Sequence, residues 1–186
     1  MEAVCLPLAS QKALIRLCRK TLDRFVHGAE REDGQVDDPR LLSSDYGAFV
    51  SLHKGTELRG CVGTCFPTAP LYRTVIEMTE ASSSRDDRVP PVEVRELGDI
   101  RIAVSILSPL EPVDDPLSLE VGKHGLHLTS GERQGVLLPQ VATEYGWDME
   151  TFLTQACLKA GLSREAWRLP ETRILSFTAL VIEEEK

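Results

Sequence analysis

The segment Leu58-Arg59-Gly60-Cys61-Val62-Gly63 gathers the residue types that chemistry requires. A cysteine attacks as its thiolate, and a neighbouring cation favours that form. Cys61 has a glycine one residue before it and another two residues after it, Gly60 and Gly63. Glycine inside a strand marks a bulge or the close approach of another group. Period-two alternation puts Arg59 and Gly63 on the face of Cys61, with Leu58, Gly60 and Val62 on the other. Two chemistries follow: an accessible thiol tuned by Arg59, or an anion pocket anchored by that guanidinium. The competing reading is a buried strand cysteine whose glycines serve packing.

A nucleophilic cysteine needs a base close in space. The candidates are His53, His124 and His127, with His27 at a helix end. A loop histidine bonding the backbone is the plain alternative for His124. Arg85-Asp86-Asp87-Arg88 precedes Pro90-Pro91, which stiffen the loop and hold Asp86 and Arg88 as candidate binding groups at a cleft edge. The alternative is a solvated loop with internal ion pairs. Cys61 and Cys65 share a C-x3-C spacing, but Thr68 stands where a C-x3-C-x2-C cluster motif places its third ligand. No second C-x2-C or H-x3-H pair occurs, so neither a metal nor a cofactor is assigned. G-x4-G-K-[ST], G-x-G-x-x-G and G-x-S-x-G are all absent, which disfavours a P-loop ATPase, a dinucleotide-binding dehydrogenase and a serine hydrolase.

These residues depend on a scaffold that the periodicity outlines. Leu14, Leu17, Cys18, Thr21, Leu22 and Phe25 recur at helical spacing and predict a helix over 10–27, with Ser10 as N-cap and Gly28 beyond its end. Residues 28–45 are acidic and turn-rich and read as a loop. Alternation over 47–52, a turn at Lys54-Gly55-Thr56-Glu57 and a second strand over 58–64 predict a hairpin. A helix over 68–83 follows, with Pro70 in its first turn and Leu71, Val75, Met78 and Ser82 on one stripe. Strands are expected over 100–108 and 126–129, with a turn at 131–135 leading into Val136-Leu137-Leu138. Residues 109–119 read as an acidic connection. A short helix over 140–145 precedes a longer one capped by Asp148 and stopped by Gly161. Trp147 and Trp167, which flank this helix, read as packing anchors. Cys18 and Cys157 lie on apolar helix stripes and read as core. Residues 174–182 are almost continuously apolar, as in a strand covered on both faces. Interspersed strands and helices with hairpins predict an α+β fold with a largely antiparallel or mixed sheet and flanking helices.

The chain has 186 residues, which fits one domain or one domain with a smaller lobe beside a main one, and its apolar fraction of 42% supports a core. The net charge of −8 argues against a broad nucleic-acid surface. The opening Met1-Glu2-Ala3-Val4-Cys5-Leu6-Pro7 has neither a basic region nor a long apolar run, and no stretch could cross a bilayer. A cytoplasmic chain with reduced thiols is expected, and the five cysteines, an odd number, agree with that.

Several segments together resemble one family. Gly47-Ala48-Phe49-Val50-Ser51-Leu52 followed by Leu58-Arg59-Gly60-Cys61-Val62-Gly63 is similar to the signature of the AMMECR domain. So are Val104-Ser105-Ile106-Leu107, Gly122-Lys123-His124-Gly125-Leu126 and Leu137-Leu138-Pro139-Gln140-Val141-Ala142. Trp147, Phe152-Leu153, Lys159-Ala160-Gly161-Leu162 and Trp167 continue the match. Asp86-Asp87-Arg88-Val89-Pro90-Pro91 resembles the family's D-P-R-F-P-P loop, with Asp87 in place of Pro and Val89 in place of Phe. The resemblance spans residues 13–183. It implies two unequal lobes around an antiparallel sheet, with the motif in a cleft. It singles out His124 as the acid or base, because that residue lies within a family-like motif. Bacterial and archaeal members carry the label AmmeMemoRadiSam system protein A, which implies a Memo-like protein and a radical S-adenosylmethionine protein as partners. No particular reaction follows from the resemblance.

Three readings remain at this level. In the first, the chain is an enzyme or enzyme subunit acting on a small or peptide-like substrate through Cys61 and His124, with Arg59, Gly60, Gly63, Asp86 and Arg88 binding substrate. In the second, it is a non-catalytic adaptor for the two partners. In the third, the one disfavoured by charge, it is a nucleic-acid-associated factor.

Overall fold

A computed structural model describes residues 3–31 and 36–185. Of the loop read over 28–45, residues 32–35 lie outside the described ones; the rest carries neither helix nor strand. The chain divides into two compact units. The larger takes Cys5–Leu107 and the residues from Leu180 onward; the smaller is built on Ser108–Ala179.

The larger unit opens with α1, Leu8–Val26. Pro7 stands at its cap position, and its preset φ launches the helix two residues earlier than the sequence reading had it. Ser10 is therefore inside the first turn, buried, and donates its hydroxyl to Asp38 at 2.6 Å. Leu14, Cys18 and Leu22 are fully buried at four-residue intervals, which is the spacing of a single helix face. At about 2 kcal/mol per leucine, that stripe supplies much of the helix's attachment. Gly28, at φ 72°, ends the helix as expected.

The hairpin consists of β1, Gly47–Lys54, and β2, Glu57–Thr64. Next come α2, Leu71–Ser84, and β3, Ile100–Leu107. Here too a proline, Pro70, occupies the cap position, and the buried face of α2 passes through Leu71, Val75, Thr79 and Ser82. Met78, expected on that stripe, is only half-buried. The strands pair antiparallel in the order β2-β1-β3. Beyond β3 lies the end of the last strand, where Glu184 N–H donates to the Ile102 carbonyl at 2.9 Å. Ala48, Val50, Leu52, Ile102 and Val104 are fully or almost fully buried on one sheet face, the side on which α2 packs. Phe49, Ser51 and His53 alternate with them on the other face and keep partial exposure.

The smaller unit holds β4, Glu111–Pro112; β5, His124–Ser130; β6, Arg133–Leu137; α3, Pro139–Glu144; α4, Met149–Lys159; and the first part of β7, Arg173–Glu183. β5 pairs antiparallel with both β6 and β7, and β4 adds a two-residue pairing to β7. That short strand lies inside the segment read as a plain connection. β5 and β6 are longer than predicted, and Gly131 turns between them at φ 60°. Asp148 caps α4 by accepting the Thr151 N–H at 2.8 Å, and Gly161 follows at φ 72°, both as the sequence indicated. Phe152, Leu153, Ala156 and Cys157 of α4 meet Leu126, Leu128, Trp167 and Ile174 in one apolar cluster. Trp147 packs against it from the edge, its ring stacked on Tyr145. Ile174–Thr178 are buried without alternation, as the unbroken apolar run required. Helices and antiparallel strands in both units make this an α+β fold. Among the described residues, no helix is long and apolar enough to cross a membrane.

Candidate functional site

Cys61 lies on β2, the outermost strand of the larger unit's sheet. The hairpin register is interrupted near its turn: His53 pairs with Leu58, but Leu52 pairs with Gly60, so Arg59 is an extra residue. Such a bulge re-aims the side chains on either side of it. Beyond it, Cys61 faces Ser51 and Gly63 faces Phe49.

The bulge is packed from one side by α2. A Cβ on Gly60 would lie 1.9 Å from the Ser82 carbonyl oxygen, and the glycine adopts φ 156°. Only a residue without a side chain lets strand and helix end approach this closely. The Ser82 hydroxyl enters between the two strands, accepting the Val62 N–H at 2.9 Å and donating to the Val50 carbonyl at 2.8 Å. Gly63 carries the Phe49 ring where its own side chain would be, with a virtual Cβ 2.2 Å from Phe49 Cγ. The glycines around Cys61 thus serve close approach, one to a helix and one to an aromatic ring.

The bulge overturns the expected role of Arg59. Its guanidinium does not share the surroundings of Cys61. It is buried and forks onto Glu96, with Nε to Oε1 and Nη2 to Oε2 both at 2.9 Å, while Nη1 donates to the Pro90 carbonyl at 3.3 Å. Arg59 pulls the Glu96 carboxyl down to about 2, helped by the Glu93 N–H. The Arg59 pKa rises in turn, chiefly through the same bond.

The guanidinium beside Cys61 belongs to Arg88. Asp86 accepts the Cys61 N–H at 2.8 Å, the Arg88 N–H at 3.1 Å and the Arg88 Nε–H at 2.8 Å. Arg88 Nη2 donates to Asp86 at 2.6 Å and to the Cys61 carbonyl at 3.1 Å. One loop therefore grips both polar groups of the Cys61 backbone. Within the pair the Asp86 side chain is 5% exposed and that of Arg88 62%, so the carboxylate is the buried anchor and the guanidinium the accessible part. Arg88 holds the Asp86 carboxyl well below the usual carboxylate range, assisted by the two backbone N–H groups. Asp86, and after it the Cys61 sulfur, keep Arg88 more firmly protonated than a free arginine.

The Cys61 thiol is partly exposed and accepts a hydrogen bond from Ser51 Oγ at 3.1 Å. Cys65, four residues on, is buried. Cys18 and Cys157 are buried as well, and burial pushes both thiols up, Cys18 to about 12. His124 belongs to the smaller unit, where its Nδ1 accepts the Glu120 N–H at 2.9 Å and closes its own turn. Burial, then the charge of Lys123, lowers its pKa, so the ring is neutral at pH 7. Among the described residues, no group of three or more His, Cys, Asp or Glu could hold a metal ion.

Of the residues expected at the site, the larger unit brings together Cys61, Gly60, Gly63, Asp86 and Arg88. It turns Arg59 away and does not include His124. Sequence reasoning missed Ser51, Ser82 and Glu96. The signal for Ser51 was the hairpin itself, once the extra residue at Arg59 is counted.

The model of the AMMECR1 family matches residues 15–182. The chain belongs to the AMMECR1 family. An AMMECR1 relative in Methanothermobacter thermautotrophicus is 38% identical over 180 residues, with 94% of each chain covered. Another, in Methanopyrus kandleri, is 38% identical over 190 residues, covering 97% of this chain and 91% of the relative. The crystal structure of an uncharacterised protein from Pyrococcus horikoshii superposes with a TM-score of 0.88 at 35% identity, covering 94% of this chain and 91% of that one. That likeness covers 94% of this chain and so reaches into both units.

Proposed function

We propose that this AMMECR1-family protein is an enzyme or enzyme subunit that uses the Cys61 thiol on a small or peptide-like substrate, with the exposed Arg88 guanidinium holding an anionic group of that substrate. The observation that carries this reading is the fixed geometry at Cys61. Its thiol is partly open and bonded by Ser51, while Asp86 and Arg88 clamp its backbone. A nucleophile held on a rigid strand needs little reorganisation to react. We place the protein in the cytoplasm, a reducing setting that keeps such a cysteine free.

The test is alkylation of the folded protein with iodoacetamide, followed by peptide mapping. Cys61 is expected to react faster than the buried Cys18, Cys65 and Cys157, and at least as fast as the exposed Cys5. A Cys61 that labels no faster than the buried three would overturn the proposal.

A second reading makes the protein a non-catalytic adaptor within an AmmeMemoRadiSam system, presenting this surface to a Memo-like protein and a radical S-adenosylmethionine protein. One observation favours it: the side chain bonded to the thiol is a hydroxyl, Ser51, and not a base. Co-purification of the three proteins, undiminished by Cys61→Ser, is the outcome this reading expects.

A further inference from the structure

We infer that His53 is the base of the Cys61 site. The inference rests on Cys61 being a functional thiol, and it concerns the group that takes the proton.

The chain has four histidines. His124 and His127 belong to the smaller unit; His27 and His53 share the larger one with Cys61. His27 sits beyond the end of α1, and its Nδ1 lies 2.6 Å from the Asp23 carbonyl of its own last turn. His53 is on the sheet. β1 pairs with β3 without interruption from Gly47 to Lys54, so its alternation is regular and His53 is on the face of Ser51 and Phe49. Ser51 is the residue directly opposite Cys61. His53 is therefore two residues along β1 from the residue that faces Cys61, on the same side of the sheet, with the extra residue Arg59 lying between the two on β2. The ring is half-buried on the partly open face and makes no hydrogen bond or ion pair among the described residues.

The hydrogen bond already present at the thiol fits this assignment. Ser51 Oγ donates to Sγ and occupies a lone pair of the sulfur, leaving the proton of the thiol to point elsewhere. In the step assigned here that proton passes from Cys61 Sγ to a ring nitrogen of His53, and the sulfur keeps the electron pair. The thiolate accepts the Ser51 hydroxyl more strongly than the thiol did, since hydrogen bonds to ions are the strong ones. Nothing is oxidised, and no co-reactant is needed.

Iodoacetamide reports the step directly: the sulfur pair forms the S–C bond as iodide leaves. Cys61 alkylation is followed at pH 7 in the wild type, His53→Ala, His53→Gln and His124→Gln, with circular dichroism confirming the fold. A free cysteine is only a few per cent thiolate at that pH, so loss of the base slows labelling by about ten-fold. The expected result is that slowing in both His53 variants, with no slowing in His124→Gln. Added imidazole should restore the rate in His53→Ala, which a purely structural role would not allow. If wild-type Cys61 is reactive and His53→Ala matches it, or is slow but unresponsive to imidazole, the inference is overturned while Cys61 stands. Equal slowing in His124→Gln also overturns it. A wild-type Cys61 as inert as Cys157 brings down the functional reading and this inference with it.

Discussion

Asp86 accepts the backbone N–H of Cys61 at 2.8 Å from a carboxylate that is itself almost fully buried. The strand residue that carries the thiol is thus fixed by a side chain twenty-five positions downstream. Asp86→Asn retains an acceptor but loses the charge that holds Arg88. It is expected to cost about 1–3 kcal/mol, the range for an impaired buried hydrogen bond. Urea denaturation measures this, and an unchanged midpoint would contradict the clamp.

The two arginines near the motif should separate by labelling. Arg59→Ala takes the two-pronged partner from the half-buried Glu96 carboxylate, leaving it Lys54 at 3.9 Å and the Glu93 N–H, and is expected to destabilise by about 1–3 kcal/mol with little change in the intrinsic labelling rate of Cys61. Arg88→Gln is expected to differ in the labelling: it slows alkylation of Cys61, and it also costs stability, because the buried Asp86 carboxylate loses its ion partner. Paired denaturation and alkylation measurements on both variants check this, and a strong effect of Arg59→Ala on labelling of the folded protein would restore Arg59 to the thiol.

Gly60→Ala should be the most damaging single methyl in the hairpin. The added carbon would enter the Ser82 carbonyl, and backbone cannot move aside as a side chain can. A loss of several kcal/mol, or failure to fold, is expected, because overpacking alone costs about 1–3 kcal/mol and the disfavoured φ adds to it. Thermal unfolding of the purified variant measures the effect.

Acid should weaken the larger unit through two carboxyls. Asp86 and Glu96 both have folded pKa values below their ordinary ones. Their contribution is complete above the unfolded values and drains away as pH falls through the folded ones. For Glu96 that window runs from the ordinary 4.5 down to about 2. Urea midpoints are expected to fall steadily below about pH 4.5, and the fall should be shallower in Glu96→Gln, which has already lost that titration.

The scaffold was largely legible because period and burial agree. The stripe of Leu14, Cys18 and Leu22, the alternation of Ala48, Val50 and Leu52 and the unbroken run after Ile174 each state which side is covered. Helix starts were misplaced where Pro7 and Pro70 act through backbone geometry and not through a side-chain cap. At the site, a hairpin counted straight back from its turn puts Arg59 on the thiol's face, and the extra residue shifts every partner beyond it by one. That Gly60 marked an irregularity could be read; its direction could not, because the Ser82 carbonyl comes from a helix residue 22 positions away. Glu96 was invisible for the same reason, since an ion pair across 37 positions leaves no local pattern.

Sheet margins ordinarily invite other chains, because their outward amides and carbonyls are unclaimed. At Cys61 both groups are claimed, by one aspartate and one arginine of the same stiff loop. At this one position a second polypeptide therefore finds no ladder to extend, while the sulfur itself stays partly open.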